Sequence, residues 1–61
     1  MPLKTTPNLP DPDAFYARLL AAHKGLTEAE THAMNARLIL ILMNHIGHPE
    51  TLRQALALAK S

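Results

Sequence analysis

Residues 27–47 read TEAETHAMNARLILILMNHIG, and the fold turns on this stretch. Thr27 followed three positions later by Glu30 is a capping box, in which the hydroxyl reaches the Glu30 amide and the carboxylate reaches back to the Thr27 amide. Gly47 suits the left-handed position that ends a helix. Nothing between them breaks a helix, so the spacing predicts one over 27–46, about 20 residues and roughly 30 Å long. On a helical wheel Glu30, Arg37 and Asn44 repeat every seven residues as one polar stripe. Ala29, Ala36, Leu40 and Met43 flank the stripe on one side and Met34, Leu38 and Ile41 on the other, while Ile39, Leu42 and Ile46 lie opposite it. A helix apolar around most of its circumference has to be covered around most of it.

Upstream, the first ten residues carry three of the five prolines, which fix their own φ and push their predecessors away from the helical region. Residues 1–10 therefore read as an extended arm. Asp11-Pro12-Asp13 offers a capping oxygen, a proline at the first helical position and an acid in the first turn, and Lys24-Gly25 supplies a cation and a left-handed stop, so a first helix is expected over 11–24. Its Phe15, Leu19 and Ala22, with Tyr16 and Leu20 beside them, recur at three and four. Downstream, His48-Pro49-Glu50 starts a third helix over 49–60, with His48 in a capping role and Leu52, Ala55, Leu56 and Ala59 on one face. All five acidic residues fall in a first helical turn, where they complement the macrodipole. The expected fold is all-α, a three-helix, bundle-like single domain over 11–61 behind the arm.

The chain has 61 residues, 48% of them hydrophobic, and no cysteine, so it builds one modest core and cannot use disulfides. That size excludes a two-domain enzyme. A chain this short removes only about 60% of its unfolded surface and is marginal unless something adds burial. Helices 1 and 3 could fold tightly against helix 2 and leave only scattered apolar side chains outside. Two short helices, however, cover only part of a helix as long and as apolar as helix 2, so the sequence predicts a homodimer. Its interface is expected on helix 2, at Met34, Leu38, Ile39, Leu42, Met43, His45 and Ile46.

Other functions find less in the residues. The net charge is +1 and the basic residues are scattered, which leaves no footprint for nucleic acid or an anionic membrane. The longest apolar run, 38–43, is too short to span a bilayer, and no secretory signal is present; a cytoplasmic protein is the expectation. Of the four histidines, His45 and His48 are three apart and Glu28 and His32 four apart, spacings that place ligands on one helical face. Gly47 separates the first pair, and the Glu-x-x-His pairs of a di-iron bundle are missing, so no metal and no cofactor is expected. The only serine is the last residue, cysteine is absent, and both glycines are explained as helix stops, which leaves neither a nucleophile nor a phosphate loop. The protein is expected not to be an enzyme. The alternative is a small regulatory DNA binder of helix-turn-helix type, helices 2 and 3 being joined by a short glycine turn. Its recognition helix would offer Thr51, Arg53, Gln54 and Lys60 behind an unfavourable Glu50 at the N-terminus, so nucleic-acid binding is not expected.

Taken together, Asn8-Leu9-Pro10-Asp11-Pro12-Asp13-Ala14-Phe15-Tyr16, Ala22-His23-Lys24-Gly25-Leu26, Asn35-Ala36-Arg37-Leu38-Ile39-Leu40 and Asn44-His45-Ile46-Gly47 resemble a family of short bacterial proteins of unknown function, each little longer than this domain. The resemblance covers nearly everything from Asn8 onward and includes specific polar residues. It implies an accessory role beside a flavin-dependent monooxygenase or another enzyme of aromatic-compound breakdown, and no catalytic residue. Asn35, Arg37, Asn44 and His45 are its polar positions within the apolar helix, suited to be hydrogen-bond anchors between helices or subunits or to form a partner-facing patch.

Overall fold

The computed structural model describes residues 2–61; the first residue of the arm, Met1, lies outside them. Three helices follow in order, α1 over Pro12–His23, α2 over Glu28–Ile46 and α3 over Pro49–Lys60, and no strand occurs among the described residues. The chain is an all-α, three-helix domain, with every boundary within a residue or so of the capping signals that predict it.

The caps explain the boundaries. The Asp11 carboxylate accepts from the Ala14 amide at 3.2 Å ahead of Pro12. Both halves of the capping box are formed at α2, with the Glu30 amide donating to Thr27 Oγ1 at 3.2 Å and the Thr27 amide donating to Glu30 Oε1 at 2.9 Å. These bonds hold the Glu30 carboxyl below its ordinary 4.5, the Thr27 backbone bond being the larger cause and the Thr27 hydroxyl the smaller. At α3 the cap is His48, whose Nδ1 accepts from the Thr51 amide at 3.2 Å and lies 2.8 Å from the Thr51 hydroxyl.

Both glycines have positive φ, 81° at Gly25 and 61° at Gly47, for different reasons. Gly47 caps α2 in the left-handed region, and its amide returns to the Met43 carbonyl at 2.9 Å. Gly25 instead belongs to a turn. Lys24 sits at φ −63° and ψ 129°, and the Leu26 amide donates to the His23 carbonyl at 3.2 Å, so 23–26 form a type II turn with glycine at the position that demands positive φ. α1 therefore ends at His23, two residues before the glycine that the sequence marks as its stop.

Packing departs from a closed bundle. The helices approach one another only at isolated points, without a shared length of contact. No apolar side chain among the described residues is buried, and the one buried residue is Thr51, 4% exposed. The radius of gyration, 13.3 Å, exceeds the about 10.5 Å of a compact chain this long. The chain exposes 5484 Å², against about 3,900 Å² for a compact monomer of 6.7 kDa. Helices 1 and 3 do not close over helix 2; they stand off it.

Candidate interaction surface

Two open, apolar grooves flank α2. The first lies between α1 and α2, with Phe15, Tyr16 and Leu19 on the α1 side, Met34, Leu38 and Leu42 on the α2 side, and Leu9 of the arm at its edge. The second lies between α2 and α3, with Ile39 and Met43 facing Leu52, Leu56 and Ala59. The side chains that recur at three and four along α1 and α3 do turn toward α2, as their spacing predicts, but they form walls where a core was expected. At the walls the Arg18 guanidinium sits 5.7 Å from the centre of the Phe15 ring, and Arg53 is paired with Glu50 at 3.2 Å.

Of the residues that the sequence marks as an interface, Met34 is half-buried in the first groove beside Leu38 and Leu42. Ile39 and Met43 line the second, and His45 and Ile46 are exposed in the last turn of α2 and line neither. Leu42 is 50% exposed and Ile39 56%, large values for residues in the middle of the longest helix. Leu40 and Ile41, beside the polar stripe, are more exposed still, at 63% and 64%. The groove walls Phe15, Tyr16, Leu52 and Leu56 belong to the same surface and were legible only as core positions.

Among the polar positions of α2, Asn35 finds a partner in α1. His23 Nδ1 lies 2.7 Å from the Leu19 carbonyl, which can only accept, so this nitrogen carries a proton. Its Nε2 lies 2.9 Å from Asn35 Oδ1. The amide can serve the ring either way, through Oδ1 if Nε2 is protonated or through its NH2 group if it is not. The bond ties the end of α1 to α2 across the 23–26 turn, the role of a register anchor. Arg37, Asn44 and His45 make no such bond among the described residues.

The other candidates are separated or occupied. Glu28 and His32 do meet, at 3.6 Å on exposed α2 surface, but among the described residues no three potential ligands gather around one point. On α3, Thr51 is buried against its cap, Arg53 faces Glu50, and Gln54 Oε1 accepts the Leu3 amide at 3.2 Å, which folds the start of the arm onto α3. No helix among the described residues is long and apolar enough to cross a membrane.

Comparison with curated proteins and with solved structures finds no match. Over residues 3–61 the chain matches the family described as a protein of unknown function (DUF2783). A match over essentially the full length, through all three helices and most of the arm, makes the chain a member of that family.

Proposed function

We propose that the protein is a non-enzymatic interaction module whose working surface is α2 with its two flanking grooves, and that it self-associates there. One observation carries this reading: the longest helix presents Ile39, Leu40, Ile41 and Leu42 at half or more of their full exposure, while no apolar residue among those described is buried. Exposed apolar surface this continuous marks an association site. The grooves have apolar linings with arginine only at the rims, and they offer no converging acid, base or nucleophile that would favour catalysis. The engagement of Thr51, Arg53 and Gln54 within the chain favours this reading over a helix-turn-helix DNA binder, whose α3 would need those groups free. An enzyme partner of the kind that the resemblance implies, flavin-dependent or aromatic-degrading, would use the same face.

Light scattering of the purified protein at micromolar concentration tests the reading. At least twice the 6.7 kDa chain mass is expected, with a thermal midpoint that rises with protein concentration. A 6.7 kDa particle whose midpoint ignores concentration would overturn self-association.

A further inference from the structure

We infer that the occupant of α2 is the α2 helix of a second copy of this chain, and that folding and pairing are one step, so that no folded monomer is populated. The inference rests on the reading of α2 as the working surface and adds the partner and the coupling. Leu42 lines one groove and Ile39 the other, yet three residues apart they sit only about 60° apart around the helix. The two grooves are therefore the margins of a single face, continued toward the end of α2 by Ile46.

That face carries no charge. The nearest cations, Arg18 and Arg53, stay on the walls, one over the Phe15 ring and one paired with Glu50. An uncharged apolar face meets its own copy across a two-fold axis without like-charge cost, since the same patch appears on both sides. A charged partner segment would find nothing complementary there.

The area available for pairing reaches the range of an obligate pair. Two separate copies expose twice 5484 Å², whereas a compact body of twice the mass exposes about 6,500 Å², so pairing has about 4,500 Å² available to remove. Obligate homodimers bury roughly 2,000–5,000 Å², and transient contacts far less. The lone chain, in contrast, removes only about four-tenths of its unfolded surface, where a self-sufficient chain of this size removes about 60%. With no apolar side chain buried among those described, a single copy has little to offset the entropy of ordering its backbone.

The test is a dilution series of the wild-type full chain, with mass by sedimentation and helicity by far-ultraviolet circular dichroism read on the same samples. Dimer mass and helical signal are expected to vanish together, the apparent folding equilibrium shifting about tenfold for each tenfold dilution. A helical 6.7 kDa monomer on dilution, with a dimer at higher concentration, overturns the coupling and leaves self-association standing. A helical monomer at every concentration overturns both. Two variants place the seat: Leu42→Lys is expected to abolish dimer and helicity together, and Ala33→Lys, at an exposed position on the polar side of α2, to keep both. The reverse pattern overturns the assignment of the face.

Discussion

The bond between His23 and Asn35 lends itself to a double-mutant cycle. It joins residues 12 apart in sequence, is part-buried, and is 2.9 Å long. A side-chain hydrogen bond of this kind contributes about 0.5–1.5 kcal/mol net. His23→Ala also removes the bond to the Leu19 carbonyl and an imidazole from the last turn of α1, so its single cost should exceed that of Asn35→Ala. The double variant then isolates the shared part, with an expected coupling of about 1 kcal/mol. Urea denaturation followed by circular dichroism measures it, with all four proteins at one concentration so that any association weighs equally on each. Since α1 and α2 share no length of packing, the same loss should appear locally: amide exchange in α1 is expected to quicken about fivefold in Asn35→Ala, with α3 unchanged. A coupling below about 0.3 kcal/mol, within the additivity of independent sites, would refute the role of this pair as the α1–α2 anchor.

Gly47→Ala is expected to cost about 1–2 kcal/mol through left-handed strain alone, because the added Cβ would meet only the Asn44 carbonyl oxygen at an ordinary 3.5 Å; Gly47→Asn should recover much of it in the same thermal melts. Thr27→Ala should cost about 1 kcal/mol by loss of one N-cap bond, whereas Thr5→Ala on the arm should do almost nothing; equal effects would separate the capping box from stability. Acid should act at the same place. The Glu30 carboxyl titrates lower in the folded chain than in the unfolded one, so its contribution is present above about pH 4.5 and fades as the pH falls through the folded value. Melts at pH 6 and pH 3 should therefore differ less in Glu30→Gln than in the wild type.

The helix boundaries were legible because they are set by local chemistry. Asp11 before Pro12, the Thr27–Glu30 pair, Gly47 and His48 before Pro49 each satisfy backbone groups within four residues, and each is in place. Gly25 was legible in its φ and not in its role, since a type II turn and a helix stop demand the same residue type. The placement of α1 and α3 was not legible. The three-and-four spacing of Phe15 and Leu19, or of Leu52 and Leu56, says which face turns inward but not how far away the neighbour lies, and here the neighbour stands off. The surface on α2 was half legible: its circumference of apolar residues was plain, whereas the walls contributed by α1 and α3 depend on the gap that the helices leave. Asn35 was legible as an anchor position and His23 only as part of a motif, and the direction of the turn at 23–26 is what brings them together.

The arm's attachment bears on connectivity. Leu3 donates to Gln54 at 3.2 Å, and Gln54 stands seven residues before Ser61 on α3, a rise of about 10 Å. Leu3 and Ser61 thus lie within the span of a few flexible residues. A glycine linker from Ser61 to Leu3 would close the chain into a ring, and reopening it at the exposed Lys24–Gly25 turn would give a circular permutant ordered α2, α3, α1. In such a permutant the covalent link between α1 and α2 is gone, and the His23–Asn35 bond across the cut becomes a direct measure of whether α1 is held by its contacts or merely by its tether.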